Sequence, residues 1–363
     1  MSKRLQCIDI LKKGLNTGAY PSFAVAVGQG RKVYLSEVMG KKHTQPKPTS
    51  AHKSTLYDLA SLTKLVGPTM IALKLLEEGK LLLTDPLSRY FTEEELKDAP
   101  QGRADVTLFQ LLTHTSGITP HMPLWATYHV DGTAFTPEEA VSAILGSQPV
   151  CNPGEQVNYS CMGYILLGKV LERITEKPLD ELAHTMVFKP LGMKHTMYRP
   201  HSKNVAATEF SDIRESYICG EVHDENAHFL GGVSANAGLF STLGDMTIFA
   251  TMLAERGKLS KGRYLQSRTF DLAVNNFTPG LAEARGLGFQ LKPPMPQLSS
   301  MGDLMSEGSY GHTGFTGTSL FVDAETGRWA VLLTNAVHYG RDKTEFIRYR
   351  KLFHNALMTE DLD

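Results

Sequence analysis

The sequence predicts an α/β fold of the α+β kind, with one antiparallel β-sheet built from both chain ends, flanked by helices, and a mainly helical subdomain inserted between them. Three observations carry this expectation. Hairpin signals lie close to both ends of the 363-residue chain, helical apolar spacing dominates the middle, and no fixed period of self-similarity divides the sequence into repeats. One domain over 1–363 is therefore expected, with a sheet-containing lobe from 1–64 and 230–363 and a mainly helical lobe from 65–229.

Taken in order, Leu5, Ile8, Leu11 and Leu15 fall on one helical face, and Gly18 and Pro21 end that helix. Phe23-Ala24-Val25-Ala26-Val27, a Gly28-Gln29-Gly30 turn and Lys32 to Val38 read as a hairpin. Residues 41–56 are polar and carry Pro46 and Pro48, which marks a loop. A long helix follows over 62–78, with Leu65, Met70, Leu73 and Leu76 spaced for one face and Gly79 as its stop. Further helical stretches are read at 108–112, 137–145, 162–175 and 179–186. A second hairpin joins 318–323 to 329–335 through Ala324-Glu325-Thr326-Gly327, and a last helix spans 343–358.

Composition narrows the function classes. With 42% hydrophobic and 21% charged residues the chain has an ordinary globular make-up, which argues against disorder and low complexity. Its 37 Lys+Arg against 38 Asp+Glu give a net charge of -1, so the basic surplus of a nucleic-acid or anionic-membrane binder is absent. Cys7, Cys151, Cys161 and Cys219 form neither a CxxC pair nor a zinc-ligand set, and reduced thiols fit the cytosol. Met1-Ser2-Lys3-Arg4 is basic, but Asp9, Lys12 and Lys13 interrupt any apolar run that could make a signal peptide. No segment is apolar for long enough to span a bilayer. A cytoplasmic location without membrane partner is expected, and the oligomeric state is left open.

Ser61-Leu62-Thr63-Lys64 fits S-x-x-K. On a helix, positions i and i+3 share a face, so the lysine amine can reach the hydroxyl and take its proton. The pattern is weak alone: a chain of this length should hold about one or two by chance, and Ser50-Ala51-His52-Lys53 also fits. That second copy sits in the polar loop, whereas Ser61 opens a helix whose N-terminal dipole favours an oxyanion. The bland reading of Ser61 is a helix-capping serine.

Tyr159-Ser160-Cys161 precedes another helix. A tyrosine with a reference pKa near 10 becomes a base only where an ammonium group stabilises its phenolate, and otherwise it packs at a helix start. Gly311-His312-Thr313-Gly314-Phe315-Thr316-Gly317 precedes a strong strand, where small residues permit close approach by a ligand. A glycine-rich turn entering a strand is the plain alternative. The cluster His223-Asp224-Glu225 with His228 has metal-ligand types without a metal-binding spacing, and a polar loop is the better reading. His114 reads as a structural hydrogen-bonding residue. No G-x-S-x-G, GxGxxG or P-loop pattern occurs.

Together the three motifs, in this order and at these separations, resemble the serine β-lactamase and penicillin-binding-protein superfamily. The tyrosine element is similar to that of its class C β-lactamase branch, with DD-peptidase, D-aminopeptidase and family VIII esterase relatives. Gly79-Lys80-Leu81 with Asp85-Pro86, Leu111 to Gly117, and Ala237 to Thr242 resemble that branch too, over roughly residues 18–355.

The resemblance implies a serine hydrolase working through an acyl-enzyme on Ser61, with Lys64 and Tyr159 shuttling the proton and no cofactor or metal. The substrate would be a small-molecule or short peptide ester or amide, as for an esterase, DD-peptidase or β-lactamase-like enzyme. The backbone N–H groups of Ser61 and Phe315 would form the oxyanion hole, and Cys161, His312, Thr313 and Gly314 would contact substrate. Two departures stand out. Cys161 replaces the family's Asn or Asp, and a thiol is a weak hydrogen-bonding partner. His312 replaces the lysine of K-T-G, which removes a permanent cation from that strand and should raise the pKa of Lys64. With no signal peptide read, an esterase or small-peptide amidase is favoured. The competing readings are a catalytically silent penicillin-binding-like scaffold, suggested by Cys161, and a metal-dependent hydrolase using the His223 cluster.

Overall fold

The computed structural model describes residues 5–127, 133, 135–297 and 299–362, and the basic stretch at 1–4 lies outside them. Along the chain the strands are β1 (Ser22–Gln29), β2 (Lys32–His43), β3 (Thr49–Ser50), β4 (Tyr57–Asp58), β5 (Met197–Tyr198), β6 (Phe210–Ser211), β7 (Ser216–Tyr217), β8 (Leu239–Ser241), β9 (Gln290–Leu291), β10 (Tyr310–Thr313), β11 (Ser319–Val322) and β12 (Arg328–Thr334). Seven of them form one antiparallel sheet in the order β3-β2-β1-β12-β11-β10-β9. The two chain ends meet at its centre, where β1 pairs with β12 from Phe23 opposite Thr334 to Gln29 opposite Arg328.

Alternation along β1 explains how the sheet is covered. Phe23, Val25 and Val27 point to one face, where the helices Cys7–Asn16 and Thr344–Thr359 supply Ile8, Leu11, Phe346 and Phe353. Ala24 and Ala26 point to the other face, and these small side chains let the helix Leu243–Ala254 approach closely. Both faces are therefore buried, which accounts for the nearly continuous apolar run in this strand.

The middle of the chain is chiefly helical, with Cys161–Thr175 as its longest helix. The helical run 62–77 departs from the regular helix expected, because residues Leu65–Thr69 form a wide π turn around Pro68. Proline has no N–H to give to the ladder, and the wider turn accommodates that loss. Gly79, at φ +67°, ends the run as anticipated. Residue 64, taken above as the edge of the sheet lobe, thus falls inside one continuous helical run.

Two stretches carry more strand than their sequence suggested. The loop at 41–56 holds the end of β2 and all of β3, and 197–217 holds β5 and the β6–β7 hairpin. In a second small sheet β8 lies between β4 and β5, which ties residues 57–58, just before Ser61, into the helical part of the molecule. Among the described residues no helix is long and apolar enough to cross a membrane.

Candidate active site

Ser61 sits where strand β4 turns into the helical run. Ala60 takes a left-handed φ of 46°, and its N–H donates to Asp58 Oδ1 at 2.8 Å. The second carboxylate oxygen of Asp58 accepts the His223 N–H at 2.7 Å. Burial pushes the Asp58 carboxyl up, opposed by those two N–H bonds. From the other side, Thr316 Oγ1 donates to the Asp58 carbonyl at 2.7 Å and Thr318 Oγ1 to the Leu59 carbonyl at 2.9 Å. The turn is therefore bolted to the β10–β11 connection, which carries Gly314 and Phe315.

One helical turn later, Lys64 is fully buried. Its Nζ donates to Ser61 Oγ at 3.3 Å, to Cys161 Sγ at 3.4 Å and to the Asn236 carbonyl at 2.8 Å, and lies 4.9 Å from the centre of the Tyr159 ring. Ser61, Lys64, Tyr159 and Cys161 are thus brought together. Burial disfavours the Lys64 ammonium, but Cys161, Tyr159 and Asp224 favour it, and the net shift is upward. The Tyr159 phenol is also pushed up, by burial first, with Lys64 pulling it down. Near neutrality the pair therefore holds both its protons, and the base is the form that has lost one.

Tyr159 precedes the helix Cys161–Thr175, whose N-terminus is capped by Ser160 accepting from the Gly163 N–H at 2.9 Å. His114 fixes this entry: its Nδ1 accepts the Ser160 N–H at 3.0 Å, and its ring lies 4.6 Å from that of Tyr159. Burial, with the charges of Arg285 and Lys64, holds His114 well below the usual imidazole range. It is a neutral positioning residue. The Tyr159 hydroxyl itself is buried with no hydrogen bond.

Strand β10 brings His312 and Thr313 to the same place. His312 Nδ1 lies 2.7 Å from the Thr313 carbonyl, which can only accept, so the proton is on Nδ1 and Nε2 carries the lone pair. Nε2 is buried without a partner. Burial first, then Arg285 and Lys64, pull this imidazole down to about 3. At physiological pH His312 is an acceptor facing the site, unlike the permanently charged donor that a lysine would supply.

Gly314 shows why this strand needs a small residue. A Cβ there would lie 2.2 Å from the Leu59 carbonyl oxygen and 2.1 Å from Thr318 Oγ1. The backbone N–H groups of Ser61 and Phe315 donate to no protein group among the described residues. Unpaired N–H groups of this kind are what an oxyanion requires.

A cavity of about 380 Å³ opens on Ser61, Tyr159, His312, Thr313, Gly314 and Phe315. Its remaining walls come from Glu283, Arg285 and Gln290, and from Lys343, Phe346, Ile347 and Arg350. These residues escaped the sequence reading, because no motif marks them and they lie on segments that only the fold brings to the site. Charge is what they add: strand β10 supplies no fixed cation, as His312 implied, and among the described residues the cavity is lined by three cations from elsewhere, Arg285, Lys343 and Arg350. Arg285 is buried, lies 5.4 Å from the Tyr159 ring, bonds Glu283 through one edge and leaves Nε without a partner.

The His223 cluster forms a wall behind the site. His223 Nε2 bonds Glu209 at 2.9 Å and its ring stacks on Phe315 at 5.6 Å, while Asp224 caps the helix Glu225–Phe229. Among the described residues no three His, Cys, Asp or Glu side chains are grouped as a metal ion would need.

The pH dependence follows from these environments. Because the Lys64–Tyr159 pair must lose a proton and both groups are shifted upward, kcat/KM is expected to rise with pH through neutrality into the alkaline range. His312 adds no limb near 6.5, since it has already lost its proton above about 3. A neutral-range inflection that disappears in His312→Asn would contradict this assignment.

Comparison with known proteins agrees with this geometry. The beta-lactamase family model matches residues 8–353. A Salmonella paratyphi A protein named "Putative D-alanyl-D-alanine carboxypeptidase" is 32% identical over 369 residues, covering 93% of this chain and 84% of the relative. Among solved structures, EstCE1, described as a hydrolase with promiscuous acyltransferase activity, superimposes with a TM-score of 0.75 at 19% identity over 97% of each chain. The octameric penicillin-binding protein homologue from Pyrococcus abyssi gives 0.74 at 22% identity, over 97% of this chain and 76% of that one. These two share the fold, and the family match spans nearly the whole sequence: the chain belongs to the beta-lactamase family and is a serine hydrolase of ester or amide bonds.

Proposed function

We propose that the enzyme is a carboxypeptidase-type amidase that removes a residue bearing a free carboxylate from a short peptide, through an acyl-enzyme on Ser61. The observation that carries this reading is Arg285, a buried cation with an unpaired Nε in the cavity that Ser61 and Tyr159 share. A guanidinium suits a carboxylate in that position. Support also comes from the name of the Salmonella relative at 32% identity.

In this mechanism Ser61 Oγ attacks the scissile carbonyl while its proton passes to the Lys64–Tyr159 pair, 3.3 Å away at Lys64 Nζ. The Ser61 and Phe315 N–H groups stabilise the oxyanion. Tyr159 returns the proton to the leaving nitrogen, and water then releases the acyl group. Cys161 contributes a weak contact to Lys64, whose stronger anchor is the Asn236 carbonyl. His312 and Thr313 line the substrate, with Nε2 of His312 accepting a hydrogen bond. A cytoplasmic location belongs to the same reading, supported by four free thiols. Cell fractionation tests it, and recovery outside the cytoplasm would refute it.

The test compares N-acetyl-D-alanyl-D-alanine with its C-terminal amide. The free acid is expected to be cleaved with a kcat/KM roughly 10- to 100-fold higher, the worth of one charged hydrogen bond. Arg285→Gln should erase that preference. Equal rates for acid and amide in the wild type would refute the carboxylate role.

A further inference from the structure

Arg350, on the helix Thr344–Thr359, is a charge that the mechanism does not use. It is only 6% exposed, and its Nε is buried without a hydrogen bond. Among the described residues no carboxylate lies within ion-pair distance of it. Its guanidinium lies over the Phe346 ring, 5.5 Å from the ring centre. One turn further on, His354 is fully buried with both ring nitrogens unbonded, and it offers no negative charge. A guanidinium stays protonated even where burial lowers it to about 10, so an unpaired charge is held here at a cost to folding.

Lys343 deepens the puzzle. Its Nζ donates to the Phe315 carbonyl and sits over the Phe315 ring, again with no carboxylate within ion-pair distance among the described residues. Burial and repulsion from Arg350 and Arg341 pull it down to about 8. Glu209, whose charge favours the Lys343 ammonium, is already bonded to His223 and Arg341. Both cations face the cavity that holds Ser61, at the Phe315 end, whereas Arg285 and its partner Glu283 stand at the Tyr159 end. The cavity includes Tyr159, the group that returns a proton to the leaving nitrogen, and none of the wall near Asp224 and Asn236. In the carboxypeptidase reading this cavity is the place of the leaving residue.

We propose that Lys343 and Arg350 form a second anion subsite that receives a side-chain carboxylate of the leaving residue, so that the favoured substrate is a short peptide ending in a dicarboxylic amino acid. This rests on the carboxypeptidase reading and goes beyond it, since Arg285 alone satisfies a single terminal carboxylate.

The experiment uses N-acetyl-D-alanyl peptides ending in D-Ala, D-Glu and its uncharged isostere D-Gln, with the full-length enzyme. The readout is the ratio of kcat/KM for the Glu and Gln peptides, which a general loss of rate does not alter. In the wild type the ratio should be about tenfold or more. It should fall towards one in Lys343→Gln and in Arg350→Met, and persist in Arg285→Gln. Lys343, being half-exposed, provides the result if the buried Arg350 variant fails to fold. A wild-type ratio of one, or a ratio that neither substitution lowers, overturns the subsite. If the D-Ala peptide is cleaved with its free-acid preference while D-Glu gains nothing, the subsite falls and the carboxypeptidase reading stands. Cleavage of a nitrophenyl ester but of no peptide removes both.

Discussion

Replacing Ser61 by alanine is expected to remove turnover, with a fall in kcat on the order of 10⁵-fold or more, the scale seen when an activated nucleophile is deleted. The covalent adduct should vanish with it. Intact-mass measurement after exposure to a short-chain nitrophenyl ester, a β-lactam or a D-amino-acid amide should find the acyl group on wild type and none on the variant. Folding should be unaffected, because Lys64, which donates to the Ser61 hydroxyl, keeps its bond to the Asn236 carbonyl. Ser50→Ala is the internal control. Ser50 belongs to the second S-x-x-K pattern, but it lies exposed on β3 and bonds Lys41. An adduct that survives Ser61→Ala would move the nucleophile elsewhere, and a wild type that neither turns over nor acylates would revive the silent scaffold.

The second large effect is expected from Gly314→Ala. The added methyl would meet the Leu59 carbonyl at 2.2 Å and Thr318 Oγ1 at 2.1 Å, both parts of the framework that sets Ser61 against Phe315. Neither can retreat cheaply, because one is backbone and the other is the hydroxyl that anchors it. Strand and turn must separate by several tenths of an ångström, which misaligns two N–H groups at once. Losing one oxyanion donor costs about 10²–10³ in kcat, and overpacking of this kind costs about 1–3 kcal/mol of stability. The prediction is a fall in kcat of at least 10²-fold in a protein that still melts cooperatively, a few degrees lower. Wild-type turnover in Gly314→Ala would mean that the strand and turn tolerate separation.

Much of the fold was legible because it depends on local signals. The β1–β2 and β11–β12 hairpins, the Gly79 stop and the terminal helices each follow from spacing and turn residues within about twenty positions. The π turn at Pro68 and the short strands β3, β5, β6 and β7 were not, since pairs of residues carry no periodicity and are made into strands by distant partners. The same division runs through the site. Ser61, Lys64, Tyr159 and the His312 to Phe315 stretch sit in motifs whose spacing has a chemical reason, and the structure gathers them around one cavity, with Lys64 buried behind Ser61. Arg285, Lys343, Arg350 and the Asn236 carbonyl are single residues on unrelated segments, and only tertiary packing gives them meaning. Cys161 reaches Lys64 at 3.4 Å as the weak partner its thiol makes it, and the Asn236 carbonyl, at 2.8 Å, holds the ammonium more closely.

The pairing of β1 with β12 also sets a timetable. Residues 22–29 leave the ribosome about 300 residues before their central partner, 328–334. At roughly 5–20 residues per second this interval is about 15–60 s. Throughout it one hydrogen-bonding edge of Phe23 to Val27 stays open beside an apolar face. Strand β10 arrives only just before β12, so a nascent chain that already contains Ser61 and Tyr159 still lacks its oxyanion strand. Catalysis is thereby withheld until strand β10 has been made, and a chain released before that point presents a sticky strand with no enzyme behind it.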